Sequence, residues 1–250
     1  MNLPPIRRQV VVPAGLDLAF ATFTDEIGRW WPVGAGHSVY GAGSAVAFRD
    51  GQLVESGPGG AVAVWGSVLD WDPPRRVRLT WHPGSGPEKA TEVEFTFAPV
   101  GETQTLVTVE HRGWERYADP AGARSEYNQG WPFVLGHYVS SVAASPGGDG
   151  PVWLALLHTA GPSVGPAGVF GHPDFREHVA FLQRLSARGV LVAAGPFAGP
   201  GEGMTVLRLP SASDVAEYVR LAQEDDQSVV RGVLIVDIRP WQVMFTGASS

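Results

Sequence analysis

Alternation of apolar and polar side chains dominates the first hundred or so residues. Ala61 to Leu69, Val77 to Trp81, Val93 to Phe97 and Leu106 to His111 each read as half-buried strands, with Gly, Pro and Asp between them. Along Glu92 to Phe97 the acids face one way, and Val93, Phe95 and Phe97 the other. Gln9 to Val12 is a further short β-rich run. Helical spacing covers Leu16 to Phe23, and Asp25 to Trp31 continues it as a second short helix ended by Pro32. From Ser125 to Ala144, the residues Tyr127, Trp131, Val134, Leu135, Tyr138, Val139 and Val142 form a stripe at 3–4 spacing. Pro132 inside that stripe predicts a kink or a helix start near Gly130. One long helix closing a curved antiparallel sheet would enclose an apolar cavity.

The pattern then breaks at Ser145-Pro-Gly-Gly-Asp-Gly-Pro151, a linker composition. Three parts are therefore expected: a domain over 1–145, a linker over 146–151 and a domain over 152–246. The second domain reads βαββαβ. Its expected strands are Val152 to Leu157, Val190 to Ala194, Met204 to Leu209 and Val233 to Ile238. Asp174, with Glu177 three positions on, predicts a capping box for a helix that runs to Arg188 and is stopped by Gly189. Ser211 and Asp214 open a second helix with the stripe Val215, Tyr218, Val219 and Ala222. The fold class expected is α+β: a cavity-forming sheet with a long helix, then a ferredoxin-like sandwich whose second sheet face is open to a partner.

Composition narrows the function. The chain has 250 residues, 44% of them hydrophobic, with 9 tryptophans and no cysteine, which removes disulfides, thiolate nucleophiles and cysteine-held zinc. Residues 1–145 carry 11 basic and 15 acidic side chains, and residues 146–250 carry 7 and 10, so both halves are negative. Lys89 is the single lysine. Without a basic stripe, nucleic acid is not an expected partner. The apolar runs are strand-sized, so no membrane span is expected, and the opening MNLPPIRRQVVVP lacks the apolar core of a signal peptide. A cytoplasmic protein is the expectation.

Several polar residues stand out against this background. His178 lies within an apolar helix stripe of Phe175, Val179, Leu182 and Leu185. A buried imidazole must satisfy both nitrogens, and a carboxylate partner would fix its tautomer and raise its basicity. The alternative is a core histidine bonded to a backbone carbonyl. Glu224-Asp225-Asp226 puts three acids at a helix C-terminus, against the macrodipole. Either this marks a site, or Asp226 caps a short turn at Ser228 to Arg231 and its neighbours are solvated. In the first domain, strand parity turns His111 to the face of Val107 and Val109, and Trp81 to the face of Val77 and Leu79; Trp65 lies within the run Ala61 to Leu69. These residues line an aromatic cavity for a hydrophobic small molecule or fill an ordinary core. No histidine pair has a metal-ligand spacing, and no P-loop, G-x-S-x-G or dinucleotide fingerprint is present, so no metal or organic cofactor is expected.

Two resemblances add to this reading. Ala19-Phe-Ala-Thr-Phe-Thr-Asp-Glu-Ile-Gly-Arg-Trp-Trp-Pro32, Thr108-Val-Glu-His-Arg-Gly-Trp114 and Gly130-Trp-Pro-Phe-Val-Leu135 are similar to the SRPBCC (START-like) superfamily, in its heat-shock-protein-90 ATPase activator branch. That resemblance implies a helix-grip fold around a hydrophobic cavity, with Trp131 joining Trp65, Trp81 and His111 as ligand-binding candidates. The second half resembles the YCII family through His178, Gly189, Ala194-Gly-Pro196, Asp226, Gly232 and Val236-Asp-Ile-Arg-Pro-Trp241. It implies a dimeric α+β fold with His178 and Asp226 as a catalytic pair; Gln227 departs from the proline that commonly follows the aspartate. The expected function is cofactor-free proton transfer, an elimination or isomerisation of a cyclic or aromatic substrate. His178 would act as acid and base, and the first domain would bind the hydrophobic substrate. The alternative is a carrier of a hydrophobic metabolite whose second half serves as a homodimerisation module.

Overall fold

Asp50-Gly51 sets one edge of the first sheet. Both residues have positive φ, 49° and 73°, as a two-residue hairpin turn of type I′ requires. They join β2 (Ala45–Arg49) to β3 (Gln52–Ser56), two strands that the alternation pattern above did not single out. The other strands of this sheet are β1 (Ile6–Val12), β4 (Val62–Asp72), β5 (Arg76–Trp81), β6 (Thr91–Pro99) and β7 (Thr105–Arg112). They pair antiparallel in the order β1-β7-β6-β5-β4-β3-β2. In this computed structural model, residues 3–142, 151–198, 201–241 and 243 are described, and the chain divides into two compact units, 1–146 and 147–250. The expected linker lies outside the described residues except for Pro151.

Helices α1 (Leu16–Thr24), α2 (Ile27–Trp30) and α3 (Pro120–Ser141) complete the first unit. The stripe on α3 buries Trp131, Val134, Leu135 and Tyr138 against Phe23, Trp30, Val93, Phe95 and Val109 of one continuous core. Burying each such large side chain contributes about 1.5–3 kcal/mol. The helix does not begin near Gly130. It starts ten residues earlier, where Asp119 accepts from Gly122 N–H and Pro120 takes the first helical position, the usual starting chemistry. Pro132 stays within the helix with its ring on the exposed side. The large antiparallel sheet with one long helix is the arrangement of a helix-grip fold.

The second unit runs β8 (Val152–Ala160), α4 (Phe175–Ala187), β9 (Leu191–Pro196), β10 (Gly203–Leu209), α5 (Val215–Glu224), α6 (Gln227–Val230) and β11 (Leu234–Pro240). Its four strands are antiparallel in the order β11-β8-β10-β9. Val215, Tyr218, Val219 and Ala222 are buried on α5. On α4 the buried set is His178, Phe181 and Leu185, while Val179 is 43% exposed. The stripe is thus rotated from the one expected, because Phe181 rather than Val179 enters the core. The expected capping box is absent as well: the Asp174 side chain makes no cap bond, and its Oδ1 accepts from Arg231 Nη1 at 2.8 Å. Gly189, with φ 71°, ends the helix run.

Candidate functional site

Each unit carries a pocket, built in a different way. That of the first unit is a cavity of about 960 Å³ walled by Trp31, Trp65, Trp81, Trp131 and Tyr127. The indoles pack mostly edge-on or tilted, with centroids 5.2 Å apart for Trp31 and Trp65 and 5.5 Å for Trp81 and Trp131. Trp81 Nε1–H donates to Tyr127 Oη at 3.2 Å, and burial pushes the Tyr127 hydroxyl above its usual range, so it stays a neutral phenol. At the rim, Lys89 and Arg116 are accompanied by Asp119 and Glu126. The mixed signs favour neither an anion nor a cation.

His111 is not part of this wall. It lies behind the indoles, fully buried, and both ring nitrogens are engaged. Trp131 Nε1–H can only donate, so Nδ1 accepts at 3.2 Å and the proton sits on Nε2, 2.7 Å from Thr91 Oγ1. The Thr91 hydroxyl passes its own hydrogen to the Trp81 carbonyl at 2.9 Å. Burial holds His111 down to about 3, so the ring is neutral at physiological pH. It fixes the orientation of Trp131 and the strand of Trp81.

Glu55, on β3, is a second buried support that the pattern reading did not find. Its carboxylate accepts from Val39 N–H (2.7 Å), Tyr40 N–H (3.0 Å), Ser44 Oγ (2.5 Å) and Trp65 Nε1 (3.0 Å). Burial alone would raise its pKa, but the four donors hold it below the usual carboxylate range. One carboxylate therefore ties a wall indole to the 38–44 loop, whose Ser38 and Val39 also line the cavity. Next to Trp65, Gly66 approaches Thr80 so closely that a Cβ would stand 1.6 Å from its carbonyl oxygen. Only glycine fits there.

In the second unit, His178 Nδ1 lies 2.6 Å from Asp226 Oδ2, and both residues are buried. Asp226 reaches it from the turn between α5 and α6, and its other oxygen accepts from Ser228 N–H at 3.0 Å. Asp226 thus makes two contacts at once: one oxygen caps α6 and the other meets the imidazole. Ser228, fully buried, accepts from His178 N–H (3.0 Å) and donates to the Asp174 carbonyl (2.7 Å), which secures the first turn of α4 in place of the missing cap. Nothing in the sequence marks Ser228 except its place two residues after Asp226. Asp225, by contrast, is a surface residue paired with Arg184.

With Nδ1–H directed at Asp226, His178 keeps Nε2 as a lone pair, and no protein group among the described residues bonds to it. The ring borders a pocket of about 310 Å³, along with Phe170, Phe175, Leu182, Met204 and Leu234. His158 packs against it edge to face, centroids 4.6 Å apart. Burial, reinforced by His178, keeps His158 down to about 3. An aligned, unencumbered imidazole in a largely apolar pocket can take up a proton and return it. Among the described residues no three His, Asp or Glu side chains come together as a metal site would need, and no helix is long and apolar enough to cross a membrane.

Comparison with known proteins bears on the first unit. No curated protein matches the chain. Among solved structures, it is similar to the anthrahydroquino-γ-pyrone synthase Txn09 (30% identity over 58% of this chain and 91% of the other, TM-score 0.36). It is also similar to CalU16 from Micromonospora echinospora (23% identity, 57% and 76% covered, TM-score 0.38). A third is the self-sacrificing resistance protein CalC from the same organism (24% identity, 56% and 94% covered, TM-score 0.40). The family described as Activator of Hsp90 ATPase homolog 1-like protein matches residues 13–137. That is half of the chain, and it spans the Trp-lined cavity: the protein belongs to this family.

Proposed function

We propose that the protein is a cofactor-free acid–base enzyme, with His178 as proton acceptor and donor and Asp226 as the group that orients it. The observation that carries this is the 2.6 Å contact between His178 Nδ1 and buried Asp226, beside a pocket onto which the imidazole faces. The carboxylate holds the tautomer with Nε2 bare and stabilises the imidazolium once a proton arrives. We read the second unit as a ferredoxin-like βαββαβ domain of the YCII type, on its strand order and on the motif residues quoted above. The reaction class is isomerisation or elimination by proton abstraction beside a carbonyl. The first unit contributes a binding site for an aromatic or otherwise hydrophobic molecule. Residues 1–145 and 152–246 act as these two domains, and a homodimer forms through the half-buried sheet face of the second.

A second reading has its own support. The indole-lined cavity of about 960 Å³ suits a carrier that sequesters a hydrophobic metabolite, with the second unit serving only for dimerisation. Native mass spectrometry of protein from its own host identifies a retained compound, and turnover of that compound decides between the two. The acid–base reading expects His178→Ala to lower the rate about 10²–10⁴-fold, with Asp226→Asn also impaired. Equal rates in all three proteins, or no turnover by any, leave the carrier. Light scattering that finds a monomer at working concentration removes the dimer.

A further inference from the structure

The catalytic pair leaves one buried hydroxyl on the pocket floor without a use. Thr205 on β10 is 1% exposed and lines the same pocket as His178. Across the sheet it pairs with Ala194, and Gly203, two residues earlier, pairs with His158; all four residues border the pocket. Thr205 Oγ1 lies 3.3 Å from His158 Nε2, and no other bond of that hydroxyl occurs among the described residues.

His158 decides which way that bond runs. Its Nδ1 is buried and has no partner among the described residues. A proton there would leave an orphaned N–H donor, a rare and costly arrangement, whereas a bare ring nitrogen is the milder loss. The proton therefore sits on Nε2 and is donated to Thr205. The threonine oxygen accepts, and its own O–H is left over at the pocket floor, with no acceptor among the described residues.

We infer that Thr205, oriented by His158, is the hydrogen-bond donor that receives the carbonyl oxygen of the substrate. This rests on the acid–base reading of the pocket and gives it a substrate class. His178 Nε2 takes a proton from the carbon beside the carbonyl. The C–H electron pair forms the new C=C bond as the carbonyl π pair moves onto oxygen, and that enolate oxygen accepts the Thr205 hydrogen. The imidazolium, paired with Asp226, then returns its proton to the substrate carbon framework, so no atom is gained or lost. The substrate is small and uncharged, a ketone or enone. Among the described residues Glu202 is the one charged side chain on the pocket lining, and none of them is a cation that would hold a carboxylate or phosphate.

A phenol is a stable mimic of such an enolate, and 4-nitrophenol reports its own ionisation by colour. Titrated into the full-length protein near pH 6, it is expected to bind and to shift toward the yellow phenolate. Thr205→Val keeps the branched shape and is expected to weaken binding about 10- to 100-fold, the worth of one hydrogen bond to a charged group, and to raise the pKa of the bound probe. Thr205→Ser, which restores the hydroxyl, recovers both. If Thr205→Val matches wild type in affinity and bound-probe pKa while His178→Ala loses binding, the carbonyl-donor role is overturned and the acid–base reading stands. If wild type does not bind the probe, or His178→Ala binds it equally well, that reading falls and the inference with it.

Discussion

His111 and His178 are both buried imidazoles beside aromatic rings, yet the two units use them in opposite ways. At His111 every hydrogen-bonding position is filled by protein: Trp131 donates to one nitrogen and Thr91 accepts from the other. Such a ring stabilises and orients its surroundings, and has no position left for a substrate. At His178 one nitrogen is committed to Asp226 and the other is bare beside a pocket. Burial is common to both and says little about role. The difference lies in the coordination left over after the protein has taken its share.

The most severe way to break this contrast is Asp226→Ala. It leaves the His178 N–H buried without its partner, at about 1–3 kcal/mol, and removes the cap of Ser228, at about 0.5–2 kcal/mol. Denaturant unfolding should show that loss in the second unit; an unchanged midpoint would mean that the pair contributes nothing to the fold. Acid comes next. His111 and His158 are each held down to about 3, so between pH 6.5 and that value the unfolded chain binds protons that the folded one refuses. Stability is therefore full above pH 6.5 and declines as pH falls, by about 1.4 kcal/mol per pH unit for each ring, or about 2–3 kcal/mol per ring by pH 4.5. Calorimetry across that range checks the slope, and His111→Leu should reduce it by close to one proton.

His111→Leu also sharpens the comparison at neutral pH. It strands the Trp131 N–H, at a cost of about 1–3 kcal/mol, while a reaction at His178 should be untouched. If instead ligand binding in the first unit vanishes with no change in stability, the ring is a contact and not a support. The smallest effect belongs to Arg184→Ala, which breaks an exposed pair with Asp225 worth about 0–1 kcal/mol. A larger loss would show that the acidic segment acts as a unit rather than through Asp226 alone.

Periodicity made the long stripe of α3 and most strands legible, because their buried faces repeat every two residues or every three to four. Parity also turned His111 inward correctly, but it could not say whether the ring meets a cavity or a hydrogen-bonding neighbour; that depends on Thr91 from another strand. The His178–Asp226 contact joins residues 48 positions apart, and only the resemblance to a family suggested it. The hairpin at Asp50-Gly51 carried a turn signal that outranks its short strands, and reading those strands would have exposed Glu55. Ser228 and Thr205 escaped for another reason: each meets a histidine brought from a distant part of the chain, and neither disturbs the local pattern.

The Glu55 carboxylate has a practical consequence for studying the first unit. The N–H of Trp65 points at an anion while the same anion grips the 38–44 loop, so any rearrangement of that segment alters the electric field across the indole. Fluorescence from this residue, isolated by replacing other tryptophans one at a time, would serve as an intrinsic optical gauge of guest entry, with no label attached.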